Sequence, residues 1–150
     1  MSHPWLPPLA LACVLAMPLP ATAMPDHNLV GIRGATTASS NTPEAIGAAV
    51  GEMVETLMQR NGLMPDQVVT ATFSATADLD AVYPASIARR RPGWDRISLL
   101  DVQQLEVRGQ LPRCIRVQLL VWMRQGLEPR HAYLRGAAGL RPDRQVQPSR

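Results

Sequence analysis

Between Leu111 and Met123 the chain runs through Cys114-Ile115-Arg116-Val117-Gln118-Leu119-Leu120-Val121-Trp122-Met123, and every odd position from Ile115 onward is apolar. That period of two, rich in β-branched residues, predicts a strand with one fully buried face. The other face then carries Cys114, Arg116 and Gln118. Charged side chains are seldom buried without a partner. Arg116 is therefore either solvated on an open sheet face or held in a pocket that needs a fixed cation.

The 150 residues suffice for a single domain with one core once a leader is removed. Residues Leu9 to Met17 form an apolar segment too short to span a bilayer, followed by Pro18, Pro20 and Ala21-Thr22-Ala23. This reads as a signal peptide over residues 1–23, leaving a domain over 24–144 that is exported, periplasmic or secreted, and not held at the membrane after cleavage. The start, Ser2-His3-Pro4, supplies no positive charge, so the competing reading is a disordered proline-rich extension. The polar residues 145–150 read as a disordered tail.

All fifteen basic residues are arginine, yet the net charge is only +3. The arginines are scattered and aromatic residues are few, which argues against nucleic-acid binding. No internal repeat, Gly-rich phosphate loop or cofactor motif is present. His27 and His131 are isolated, so no metal-ligand spacing exists. Beyond the leader's Cys13, Cys114 stands alone; with no histidine beside it in sequence, it reads as a small buried side chain rather than a nucleophile.

Along the chain, a first strand is expected over Asn28 to Arg33, closing at Gly34. Thr42-Pro43-Glu44 then opens a helix with an N-cap, a proline at the first helical position and an acid in the first turn. Ile46, Ala49, Val50, Met53, Val54, Leu57 and Met58 give it one apolar face, and Asn61-Gly62 stops it. Its glycines Gly47 and Gly51 suggest close packing. A second strand follows over Val68 to Ser74, a short helix over Pro84 to Arg90, and a third strand marked by Trp94 and Ile97 to Leu100.

Seven blocks then occur in order: Gly31-Ile32-Arg33-Gly34-Ala35-Thr36-Thr37; Ser74-Ala75-Thr76 with Asp78-Leu79; Ala81-Val82-Tyr83-Pro84-Ala85; Gly93-Trp94; Cys114-Ile115-Arg116-Val117; His131 with Tyr133-Leu134; and Leu140-Arg141-Pro142-Asp143. Together they resemble the AroH-type chorismate mutases, from about Val30 to Asp143. The resemblance implies an α+β fold, the chorismate mutase-like pseudo-α/β barrel, with a mixed sheet, covering helices and a homotrimer whose sites lie between subunits. It implies a small dianionic substrate, chorismate or an analogue, and no cofactor or metal. By motif, Arg116 resembles the arginine at the substrate's ether oxygen, while Arg33 and Tyr133 resemble the pair anchoring its other end. Tyr83, Ala85 and Arg89, with Leu140 and Arg141, resemble residues that line and close the pocket.

The chemistry suits such a set. Rearranging chorismate to prephenate is pericyclic and needs a clamp for the compact conformer plus cations at the ether oxygen. Arginines are permanently charged and grip carboxylates bidentately. Three departures from the pattern stand out. The family's glutamate at the substrate hydroxyl falls on Gln104, a usual lysine is Ser86, and Asp101 replaces a small neutral residue. Losing the charge at Gln104 is expected to cost about 2–4 kcal/mol in the barrier, roughly a hundred- to thousandfold in rate. Asp101 points to the opposite face of a regular strand, and Glu106 shares Gln104's face only if that strand continues. Three functions fit: an exported mutase of weakened activity, the same fold serving another small anion, or a scaffolding trimer, which leaves Arg33, Arg116 and Arg141 unexplained.

Overall fold

The structure, a computed structural model, describes residues 26–144. The leader assigned to residues 1–23 and the tail over 145–150 lie outside the described residues. Seven elements follow in order: β1 (His27–Thr37), α1 (Pro43–Asn61), β2 (Val68–Ala75), α2 (Pro84–Arg89), β3 (Ser98–Gln103), β4 (Cys114–Arg124) and β5 (Ala132–Tyr133). Short 3-10 turns fall at Pro65–Gln67, Trp94–Arg96, Arg135–Leu140 and Pro142–Arg144.

The strands form one mixed sheet in the order β3-β2-β4-β1-β5. Central β4 runs antiparallel to both β1 and β2, whereas β2 with β3 and β1 with β5 are parallel. The expected α+β architecture with covering helices is thus observed. On one face, Ile115, Val117, Leu119, Val121 and Met123 pack with Phe73 and with the Ile46, Val50, Met53, Val54 and Leu57 face of α1. The other face is uncovered, and Arg116, Gln118 and Trp122 are exposed on it.

Helix α1 forms as its sequence dictates. Thr42 is extended and its Oγ1 accepts the Ala45 N–H at 3.2 Å, Pro43 opens the first turn, and Gly62 at φ 59° ends the last. The Leu63 N–H then returns to Met58 O at 2.9 Å, satisfying a carbonyl that the helix leaves open.

Three strand boundaries and one packing expectation differ from the sequence reading. Strand β1 does not close at Gly34: it continues through Ala35, Thr36 and Thr37, paired with Arg116, Ile115 and Cys114. Gly34 is instead the place where α1 comes closest. A Cβ there would stand 2.8 Å from Leu57 Cδ1, 3.0 Å from Val117 Cγ1 and 3.1 Å from Met53 Cγ. The close packing expected at Gly47 and Gly51 is absent, since a Cβ at Gly47 meets only Ile87 at 3.8 Å and one at Gly51 meets nothing within 4 Å. Trp94 lies buried in a 3-10 turn rather than in the third strand, which runs over Ser98–Gln103. The central strand starts at Cys114, not Leu111, because Arg113 turns the chain at φ 48°. Asp78 fixes that turn by accepting the Arg113 N–H at 2.8 Å and the Thr76 hydroxyl, while Thr76 Oγ1 accepts the Cys114 N–H at 3.0 Å.

These contacts predict opposite effects for two glycine substitutions. Gly34→Ala should destabilise the fold by about 1–3 kcal/mol through overpacking against three core side chains. Gly51→Ala should stabilise it by about 0.5–1 kcal/mol through helix propensity. Urea midpoints at unchanged m-value measure both.

Candidate active site

The register of three strands builds one row of side chains on the open face. Arg116 on β4 faces Ser74 on β2 and Ala35 on β1, and Ala35 in turn faces Tyr133 on β5. One pleat along, Gln118 faces Thr72 and Arg33. Because directly paired residues share a side of the sheet, as do residues two apart along one strand, the two arginines project to the same side.

Tyr133 depends on a strand of two residues, which the loop before it secures. Asn61, at the end of α1, donates from Nδ2 to Arg130 O and accepts the Arg130 N–H at Oδ1, both at 2.8 Å. Arg60 Nη1 donates to His131 O at 3.1 Å, and His131 Nδ1 accepts the Arg33 N–H at 3.0 Å. That last bond requires Nδ1 to be unprotonated. His131 thus ties the Arg33 backbone to β5.

A hollow of about 450 Å³ opens over this row, lined on its polar side by Arg33, Arg116, Gln118, Tyr133 and Arg141, with Leu140 also in its lining. No acidic side chain among the described residues lines it. Among the described residues, neither Arg33 nor Arg116 is ion-paired, whereas Arg141 is held by Asp143. Thr72 and Ser74 also line it. They were absent from the expected site, although the polar alternation Thr70, Thr72, Ser74 in β2 was a readable signal. Two residues before Arg116 on β4, Cys114 is fully buried, and burial pushes its thiol pKa up, with the Arg116 guanidinium opposing. A thiol held neutral is a poor nucleophile.

The remaining expected residues lie elsewhere. Tyr83 and Asp101 line a second hollow of about 600 Å³, and only Val102 lines both hollows. Asp101 Oδ1 accepts the Ala85 N–H at 3.0 Å, which turns it toward α2, on the face away from the arginines. Burial raises its pKa, against the pull of that hydrogen bond and of nearby Arg89. Ala85 is buried, Arg89 is exposed, and Ser86 donates its hydroxyl to Tyr83 O at 2.7 Å. Gln104 lies just beyond β3 and lines neither hollow. Its Nε2 donates to Gln110 Oε1 at 3.5 Å, and its Oε1 is buried without a partner. Because β3 ends at Gln103, the condition for Glu106 to share Gln104's face is not met, and Glu106 is exposed. Among the described residues, neither Asp101 nor Glu106 lines the arginine hollow.

Chemically, the first hollow supplies fixed cations and a phenol without a base or nucleophile. It can hold a small dianion and stabilise developing negative charge.

The family "Chorismate mutase type I" matches residues 29–144. Chorismate mutase AroH of Bacillus subtilis (strain 168) is 39% identical over 114 residues, covering 75% of this chain and 90% of that protein. Chorismate mutase AroH of Thermus thermophilus is 40% identical over 116 residues, with 75% and 93% covered. Among solved structures, chorismate mutase from Clostridium thermocellum matches with a TM-score of 0.67 at 37% identity, covering 72% of this chain and 96% of that one. The row of arginines across β1 and β4 thus sits in a chain that belongs to the type I chorismate mutase family.

Proposed function

We propose that the protein is an exported chorismate mutase that rearranges chorismate to prephenate by electrostatic clamping. The observation that carries this reading is the hollow holding Arg33, Arg116, Arg141 and Tyr133 with no acidic residue in its lining. Chorismate brings two carboxylates, and Arg33 and Arg116, without ion-pair partners among the described residues, pay the cost of their desolvation with bidentate hydrogen bonds. In this reading Arg116 meets the ether oxygen, where charge grows during bond breaking. Arg33 and Tyr133 hold the other end of the substrate, and Leu140 with Arg141 close the pocket. No proton needs to move.

The second group of residues enters through assembly. Tyr83, Ala85, Arg89 and Asp101 lie away from the arginine hollow within one chain, and we assign them to the site of an adjacent subunit in a homotrimer. Exposed apolar side chains on the open face, Leu29, Leu100, Val102 and Trp122, support burial of that face in an assembly. The apolar leader over residues 1–23 supports export.

Gln104 lines neither hollow within one chain, so we assign it to the adjacent subunit's side of the site as well; there its amide offers the substrate hydroxyl no charge and weakens catalysis in this account. The same feature favours a second reading, in which the hollow serves a different small dianion and mutase activity is slight. Two substitutions separate the readings. Arg116→Ala should lower kcat by at least about a hundredfold, the scale of losing one preorganised donor at developing charge. Gln104→Glu should raise kcat by about a hundredfold if that position limits the rate. Absorbance assays of chorismate consumption measure both; an inert Gln104→Glu protein would favour the other dianion.

Subunit bridging has its own test. Arg116→Ala and Arg89→Ala proteins, each inactive alone, should regain about a quarter of wild-type activity after random co-assembly, because each mixed trimer restores one intact site of three. Mixtures that stay inactive would place both groups in one subunit's site.

A further inference from the structure

The segment carrying Leu140 and Arg141 is fastened at its base. The Leu134 N–H donates to Ala35 O at 2.9 Å, the Gly136 N–H to Thr37 Oγ1 at 3.1 Å, and Arg135 Nε to Glu52 Oε2 at 2.7 Å. Arg135 adopts φ 51° there, and a Cβ on Gly136 would stand 3.0 Å from Thr37 Oγ1, so the turn is tightly fitted. These bonds fix where the backbone arrives at the hollow. They do not fix the torsions of a side chain as long as that of Arg141.

Asp143 does. Arg141 Nε donates to Asp143 Oδ1 at 2.9 Å and Nη2 to Oδ2 at 2.8 Å, two parallel bonds in the fork geometry that carboxylates favour. The partners are two residues apart, with the fixed φ of Pro142 between them, so little chain entropy opposes the pairing. The carboxylate also raises the Arg141 pKa, chiefly through this hydrogen bonding. A guanidinium has five N–H donors, and Asp143 uses one on Nε and one on Nη2. Both donors on Nη1 and the second on Nη2 remain, forming another edge that can grip a carboxylate bidentately.

We propose that Asp143 is a positioning residue that holds Arg141 at the rim of the hollow, with its Nη1–Nη2 edge left for a carboxylate of the bound dianion. The inference rests on the reading of Arg141 as a ligand contact. Freezing a flexible arginine before the ligand arrives removes that ordering cost from binding. The contribution falls on affinity rather than on the chemical step, since Arg141 sits where the site closes and Arg116 sits under the breaking bond.

A mutant cycle tests this with two readouts: KM and kcat for chorismate, and titration-calorimetry Kd for prephenate, which does not require turnover. Asp143→Ala and Asp143→Asn should each raise KM and Kd by about three- to tenfold while kcat changes less than about twofold. Arg141→Ala should raise both constants further, and Asp143→Ala should add nothing in that background. Unchanged or tighter binding by Asp143→Ala would overturn the positioning role, the tighter result making Asp143 a competitor for Arg141. A full Asp143 effect persisting without Arg141 would overturn it as well. If Arg141→Ala itself leaves KM and Kd unchanged, the assignment of Arg141 as a ligand contact fails, and the inference falls with it.

Discussion

Strand β4 is hydrogen-bonded along both edges, to β1 and to β2, so its register decides what each face of the sheet carries. A slip of one residue would drive Arg116 and Gln118 into the helices and expose Ile115, Val117 and Leu119. The apolar alternation makes that slip prohibitive, since each such side chain contributes about 1.5–3 kcal/mol when buried. The core therefore aims the arginines as a by-product of its own packing. Gly34 sharpens the arrangement: without a Cβ it lets α1 settle onto β1 between Leu57, Met53 and Val117, and its neighbours Arg33 and Ala35 are held on the other side.

The open face is costly in the isolated chain. It exposes apolar side chains beside unpaired guanidinium groups, and Arg33 and Arg116 repel one another from adjacent strands. Removing that repulsion within the chain would have needed only an acid on β2 at Thr72 or Ser74. Instead those positions are hydroxyl-bearing and the hollow stays cationic. Such a surface is complementary to a ligand that brings its own negative charges and to a protein partner that covers the apolar remainder. The pairing of Arg141 with Asp143 fits the same logic at the rim, where a mobile side chain gains order and one edge of its fork stays available.

Which parts of this were legible in the sequence follows from how local their causes are. The β4 alternation and the α1 cap, face and stop are written in consecutive residues, and each forms as read. Gly34 looked like a strand end because glycine commonly punctuates strands, whereas its function here is contact with a helix ten or more residues away. β5 has two residues and no periodicity; it exists because Asn61 and His131 hold it against β1. The arginines and Tyr133 converge through strand pairing between distant segments, and only the motif resemblance brought them together in advance. That resemblance gave a single combined residue set. The structure splits it: Arg33, Arg116, Tyr133, Leu140 and Arg141 line one hollow, Tyr83 and Asp101 line another, and Ala85, Arg89 and Gln104 line neither, with Asp101 turned toward α2 and Gln104 toward Gln110. Pairing of that kind is set by side chains competing in three dimensions, which no linear pattern records.

The central claim is that this cationic hollow turns over chorismate even with glutamine at position 104. The most direct measurement is the loss of chorismate absorbance with purified wild-type protein, with the product identified as prephenate. The account predicts saturable conversion to prephenate at a rate above the uncatalysed rearrangement. A folded protein that leaves chorismate unchanged would contradict it.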